Sequence, residues 1–491
     1  MKALSQCRAV RRIPSPTAAP SCSYMTTPSC MSPWRQTAAW LSSRPTYPDS
    51  LAEPEYRDDV ADASRRRSGT GVYHGERIRM QQPPSQRVRH YKRRPIYVAA
   101  TKQHVGKTTT SLALMSGLSK RFEKVGFIKP VGQQHVPVEV PVDPTGENDA
   151  MRTIRVDKDV CLVREHFQLT HCPYPSMSPC LIGSGYTKQF IDGDIQLHTQ
   201  LDDIVKAFRE IDDASDVVLC EGTGHAGVGS VVGASNAKVA SMLGADMILV
   251  ANGGLGSTFD ELELNRVLCE HHGVNIGGVI INKVKLDKYE QTQEYMSKAF
   301  QNMWGVPLLG CIPDRPYLGC PALADLERLF NTTMVSGRCH RFRHYKIADL
   351  NLVTTSLGRF LENLREKPSR TLYICHVSRD DIILGFLGEY ARRRRHGQPF
   401  EAALLVSGRK DKYDVSPEVM DMITDPALSD VPILIARHTT HHALELINNM
   451  TPKLNIHDTG RVETAVKHYE PYINFDLILD RTSVRQTEDE Q

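Results

Sequence analysis

Gly106, Lys107 and Thr108 stand in succession between a short apolar run and a helical pattern. The run PIYVAA (95–100) reads as a buried strand, TKQHVGKTTT (101–110) as a loop, and SLALMSGLSKRF carries apolar residues at helical spacing. Strand, loop and helix in that order form the setting of a phosphate loop. Backbone N–H groups wrap phosphates at the helix N-terminus, where the macrodipole favours anions. On this reading Gln103, His104, Val105 and Thr109 line the nucleotide and Gly106 permits its close approach. Lys107 neutralises the β- and γ-phosphates, and the Thr108 hydroxyl ligates Mg²⁺. The expected cofactors are therefore ATP and Mg²⁺.

Further residues fit the same chemistry. Lys129 closes the strand pattern KVGFIKP (124–130), at the strand end where substrates bind in open α/β sheets. A surface lysine before a turn is the alternative. Glu147 and Asp149 lie in the polar stretch GENDA (146–150). DVVLCEGTG (216–224) is a buried strand ending at Glu221, where a carboxylate meets Mg²⁺ directly or through water. A structural Gly-rich turn is the other reading. GGVIINKV (277–284) ends near Asn282, whose amide donates and accepts and so suits a nucleobase edge. The first glycine of GxxxxGK[ST] would fall at Thr101, so that pattern is not met. Lys102, five residues before Lys107, is spaced as in the deviant Walker A of septum-site and partition ATPases, which this loop resembles. In those proteins the second lysine reaches phosphate, often across a dimer. Lys102 reads either that way, with a homodimer implied, or as a solvated loop lysine.

The elements that must position these residues form a chain of strands alternating with helices over about 220 residues from Pro95, which specifies a parallel sheet covered on both faces. Three further strand–helix repeats follow, at 370–393, 401–423 and 431–455, with a closing helix over 458–474. Charge divides the chain differently. The total of 491 residues carries +3, but residues 1–94 carry +10 and residues 95–491 carry −7. An acidic body argues against nucleic acid as a partner. No stretch reaches the ~18 apolar residues of a membrane span, which excludes an integral membrane segment. The 12 cysteines form no CxxC pair and no zinc spacing with histidine, and read as free thiols in a reducing compartment. The first 48 residues contain no acid, six Lys/Arg and eight Ser, the composition of a mitochondrial transit peptide or of a disordered extension. Without such a signal the chain is expected to be cytoplasmic. The four arginines 392–395 read as a solvated helix end, and His438, His441 and His442 do not converge on a metal site.

Residues 95–315 resemble dethiobiotin synthetase and its relatives. The matching pieces are VGKT (105–108), Lys129-Pro130, Asn148-Asp149-Ala150, EGTG (221–224), Asn282 and GCIP (310–313). The resemblance implies that Lys107 and Lys129 contact phosphate and the reacting centre. It implies that Thr108, Asp149 and Glu221 serve Mg²⁺, and Asn282 the adenine. Departures are ATKQHVGKT for the family's GTDTxVGKT, and His225-Ala226 after Gly224. The region behind it resembles a DRTGG domain, with Ser407-Gly408-Arg409 where Thr-Gly-Gly is usual. That order of modules is the N-terminal region of long phosphotransacetylases, and the chain is expected to act without their acetyltransferase domain. The expected architecture is a P-loop NTPase α/β fold. It has a disordered leader (1–94), a dethiobiotin-synthetase-like ATP-binding domain (95–320), a linker with a DRTGG-like α/β domain (321–480) and a disordered tail (481–491). Three functions follow from the resemblance: a nucleotide-dependent regulatory or metabolic protein, a ligase that phosphorylates a carbamate and closes a ring on a small-molecule substrate, and the ATPase half of a cobyrinate-type amidase. The last needs a Cys nucleophile and a His base, for which only the neighbours Cys375 and His376 offer themselves.

Overall fold

Runs of Val, Ile and Leu bounded by glycine and polar turns fold as strands, and their near-continuous apolarity marks strands buried on both faces. A computed structural model describes residues 93–142, 150–347, 350–366, 370–409 and 414–482, all within one compact unit, residues 86–491. β1 (Ile96–Ala100) leads through the phosphate loop into α1 (Lys107–Ser119) and β2 (Val125–Ile128). An antiparallel hairpin follows, β3 (His135–Pro141) and β4 (Met151–Asp157), then α2 (Lys158–Phe167) and α3 (Leu197–Asp213). This hairpin was not anticipated. β5 (Val217–His225), β6 (Asp246–Asn252), α4 (Gly256–His271), β7 (Ile276–Val284), α5 (Tyr289–Trp304) and β8 (Leu308–Pro313) complete the first layer set. The sheet order is β8-β7-β6-β1-β5-β2, every pair parallel. β1 lies at the centre between β5 and β6, so its carboxyl end opens at the point where strand order reverses, the position of ligands in such sheets.

After α6 (Leu323–Phe330) a second sheet forms. Its strands are β9 (Met334–Ser336), β10 (Asn351–Leu352), β11 (Leu372–His376), β12 (Ala403–Ser407) and β13 (Ile433–Ala436). Their order is β9-β13-β12-β11-β10, with β9 antiparallel at one edge. Alternation at period two splits its core. Tyr373, Leu404 and Val406 face one cluster with Phe360 of α7 (Leu357–Glu366) and Phe386 of α8 (Asp380–Arg395). Ile374, Ala403 and Leu405 face the other, with Leu326 of α6 and Ile447 of α9 (Thr440–Asn448).

The chain then returns. α10 (Thr459–Tyr469) and α11 (Phe475–Arg481) place Val462, Tyr469, Phe475 and Ile478 in the core of the first sheet. Residues 458–480, which the sequence pattern attaches to the second module, thus pack on the first. A Cβ on Gly117 of α1 would meet the Phe475 ring at 2.0 Å, so glycine in mid-helix makes room for α11. A buried charge cluster sits where α6 meets α10. Arg461, 1% exposed, donates to Asp325 at 2.8 Å and pairs with Asp458 at 3.0 Å, while His344 lies 2.8 Å from Asp458.

One detail differs from expectation at α8. Arg393 is buried rather than solvated, and it pairs with buried Glu389 at 3.1 Å alongside Arg392 and Arg365. Hydrogen bonds from Arg392, against the effect of burial, hold the Glu389 carboxyl down to about 2. The nine cysteines among the described residues are all free.

Candidate functional site

β1 delivers the loop and α1 receives it. His104 and Gly106 adopt left-handed backbone, with φ of 63° and 99°. Glycine is required at 106 on two counts. Its φ disfavours a side chain, and a Cβ would lie 2.3 Å from the Asn282 amide nitrogen. The loop is held from the carboxyl end of β7. Asn282 Nδ2 donates to the Val105 carbonyl at 2.7 Å, and Lys283 Nζ donates to the His104 carbonyl at 2.7 Å. Asn282 is fully buried, and its Oδ1 accepts from the Lys283 N–H. The residue expected to read a base edge therefore stands beneath the phosphate loop. Tyr469 of α10 stands there too, within hydrogen-bonding reach of Asn282 and Thr109, and burial pushes its phenol up to about 12.

Behind the loop lies a buried charge cluster. β5 runs on to His225 instead of ending at Glu221, so Glu221 stands in mid-strand; it is 0% exposed and accepts from Thr108 Oγ1 at 3.0 Å and from Lys107 Nζ at 3.2 Å. Its other oxygen, Oε2, is buried with no hydrogen-bond partner. Lys129, the residue after β2, lies 3.6 Å from Glu221 and 3.2 Å from Asp157, and it bonds Asp159. Burial opposes the charge on Lys129, but Asp159, Glu221 and Asp157 outweigh burial and push its pKa up. Burial also opposes charge on Asp159, and there Lys129, Lys158 and Lys107 prevail and hold it well below the carboxylate range. For Lys107 burial dominates and lowers the pKa.

Asp157 and Asp159 were missed by the sequence reading. The available signal was Asp-Lys-Asp at the junction of β4 with α2, where Asp157 acts as N-cap by accepting from the Asp159 N–H at 3.0 Å. An N-cap accounts for Asp157 but for no second acid, and only the fold carries both to Lys129. Lys102 lines the same cavity as the phosphate loop and has a partner of its own. Its half-exposed ammonium pairs with Glu261 of α4 at 2.7 Å, and Thr101 donates to the same carboxylate at 3.1 Å. Gln103 is exposed and Val105 buried. Asp149 lies outside the described residues. Among the described residues no cluster of three or more His, Cys, Asp and Glu is arranged to hold a metal. Nor is any helix long and apolar enough to cross a membrane.

The loop opens on a cavity of about 800 Å³ whose walls come from both modules. The first sheet supplies residues 102–109, Lys129, Asp157 and Asp159, and the second module supplies Lys346, Ile347 and residues 450–454. Eight lysines and arginines line it against three aspartates, a lining suited to a polyanion.

Residues 94–322 match the family described as an AAA domain. The phosphate acetyltransferase of Nitratidesulfovibrio vulgaris is 24% identical over 384 residues, 77% of this chain and 50% of that protein. That of Pseudomonas putida is 26% identical over 379 residues, 75% of this chain and 49% of its own length. The chain is similar to the N-terminal part of long phosphotransacetylases. It spans about half the length of the curated relatives it matches. Among solved structures, the MinD cell division protein of Aquifex aeolicus aligns with 45% of this chain and 83% of its own, at 16% identity and a TM-score of 0.27. A putative plasmid partition protein of Borrelia burgdorferi bound to AMPPNP aligns with 46% and 88%, at 14% identity and a TM-score of 0.29.

Proposed function

We propose that the chain is a MgATP-binding P-loop protein with a regulatory or metabolic role, related to the N-terminal region of phosphotransacetylases. The observation that carries this reading is the pairing of Thr108 with Glu221. A buried carboxylate that holds the P-loop hydroxyl with one oxygen and leaves the other without a partner offers hard oxygen donors. That donor set fits Mg²⁺, which takes one or two protein oxygens and completes its shell with water and phosphate. Bound there, Mg²⁺ would supply charge neutralisation between the terminal phosphates. Thr108 and Glu221 would hold it, with Asp149 as a further carboxylate. The chain's own groups do the rest. Lys107 faces the phosphates from the start of α1, the loop N–H groups cradle them, and Asn282 and Lys283 keep that loop in shape. Lys102, engaged by Glu261 of its own chain, is not required by the proposal. The second module is read as DRTGG-like.

The experiment is calorimetric titration of the full chain with MgATP. Lys107→Ala should weaken binding by about 1.5–3 kcal/mol, the loss of one charge-assisted hydrogen bond. Equal affinity of the two proteins would sink the phosphate-loop reading.

The Lys129–Asp159 pair favours a second reading, a ligase of the dethiobiotin type. Lys129 would hold an anionic acceptor beside the transferring phosphoryl group and stabilise it by charge and position. MgATP turnover that rises on addition of diaminopelargonate would establish this, and turnover indifferent to it would remove it.

A further inference from the structure

The loop joining α9 to α10 crosses over the cavity. Met450, Thr451, Pro452, Lys453 and Leu454 line the same cavity as the phosphate loop and Lys129. Leu454 and Ile456 pack on the core of the first sheet. Pro452 restricts the backbone just before Lys453. The loop is thereby pinned on both sides of one lysine.

That lysine belongs, with Arg315 and Lys346, to the wall cations whose side chains have no hydrogen-bond or ion-pair partner among the described residues. Lys102, Lys107, Lys129 and Lys158 each have a carboxylate partner. Lys453 is exposed towards solvent and has no hydrogen-bond or ion-pair partner among the described residues. It nonetheless lies close enough to Lys158, Asp159, Lys129 and Asp157 to feel their charges. It also acts on His104 of the phosphate loop, where burial is the larger cause of a lowered pKa. An unpartnered ammonium held at the Lys129 end of a cation-rich cavity is complementary to an anion that enters from outside.

We propose that Lys453 contacts the terminal phosphate of a bound nucleoside triphosphate, as a cation supplied in cis by the second module. The inference rests on the nucleotide reading given above. It places one phosphate between Lys129 of the first sheet and Lys453 of the loop that precedes α10. Occupancy of the nucleotide site is then felt by the second module, because the loop is continuous with α9, which packs on the second sheet. A diphosphate, shorter by one charged group, does not reach Lys453.

The test is titration of the full chain with Mg²⁺ and either ADP or a non-hydrolysable imido analogue of ATP. Wild type, Lys453→Ala and Lys453→Arg are compared. Lys453→Ala should weaken the triphosphate analogue about tenfold or more, the scale of one charge-assisted contact. It should leave ADP within about twofold, and Lys453→Arg should keep most of the triphosphate affinity. The ligand-free melting temperatures should coincide, because Lys453 has no partner to lose. Unchanged triphosphate affinity in Lys453→Ala overturns the proposal. An equal loss for ADP and the triphosphate also overturns it, since the contact would then not be to the terminal phosphate. If wild type binds neither nucleotide, the nucleotide reading itself fails, a result distinct from failure of the Lys453 contact.

Discussion

Asn282→Ala separates two roles for one side chain. As a reader of adenine, Asn282 would set nucleotide preference and contribute little to the empty protein. As a brace beneath the phosphate loop, it would matter before any ligand arrives. The structure allows the size of the second effect to be worked out. The amide donates to the Val105 carbonyl at 2.7 Å, its Oδ1 accepts from the Lys283 N–H at 2.8 Å, and the residue is 0% exposed. Each buried hydrogen bond contributes about 1 kcal/mol net, and a buried group left unpaired costs about 1–3 kcal/mol. Truncation should therefore destabilise the protein by about 2–4 kcal/mol. Urea unfolding of the ligand-free chain measures that directly, as a lower midpoint with an unchanged slope. Titration with ATP and GTP supplies the other half of the test. Because the loop cradles phosphates whatever the base, both nucleotides should weaken together and their ratio should stay constant. A variant as stable as wild type that loses affinity for ATP but not for GTP would refute the reasoning and return Asn282 to the base.

Two further substitutions probe the same site. Gly106→Ala puts a side chain where φ is 99° and the Asn282 nitrogen is 2.3 Å away. The left-handed strain of about 1–2 kcal/mol and the displaced brace should reduce MgATP affinity at least tenfold, read by titration. Asp159→Asn tests the buried charge cluster through pH. Burial works against the Asp159 charge, but Lys129, Lys158 and Lys107 hold its pKa below the ordinary value. A depressed carboxylate contributes stability that is present above the unfolded pKa of about 3.9 and is lost as pH falls through the folded value. At pH 7 the substitution should cost about 3–5 kcal/mol, because Lys129 keeps its charge and loses a partner. The gap from wild type should narrow below about pH 4, as followed by denaturant midpoints across pH. A gap independent of pH would show that Asp159 is not charged in the native protein.

The phosphate loop was legible because it is local. An apolar strand, Gly106-Lys107-Thr108 and an apolar-periodic helix lie within about 25 residues, and each follows from backbone propensity and the macrodipole. Glu221 was legible for the same reason, as an acid following four buried apolar residues of a parallel strand, although β5 continues past it to His225. Lys129 was placed by the same rule, but its environment was not. Asp157 and Asp159 begin a helix that the unanticipated hairpin of β3 and β4 carries back to β2. For Lys102 the spacing left phosphate contact and a solvated lysine open, and its partner Glu261, 159 residues further on at 2.7 Å, was not legible.

Sequence alone determined the chemistry that short segments can encode: which strands are buried on both faces, where the chain turns onto a helix N-terminus, and which lysine and threonine begin that helix. Tertiary structure alone decided what those groups meet. Val105 and Asn282 are 177 residues apart, and they touch only because β1 and β7 belong to one sheet. Tyr469 reaches the phosphate loop because α10 leaves the second module and buries apolar residues against α1. Lys453 overhangs the cavity because that return must cross it. Periodicity shows that a helix has an apolar face, but the surface that buries the face is set by the competition of all cores for it.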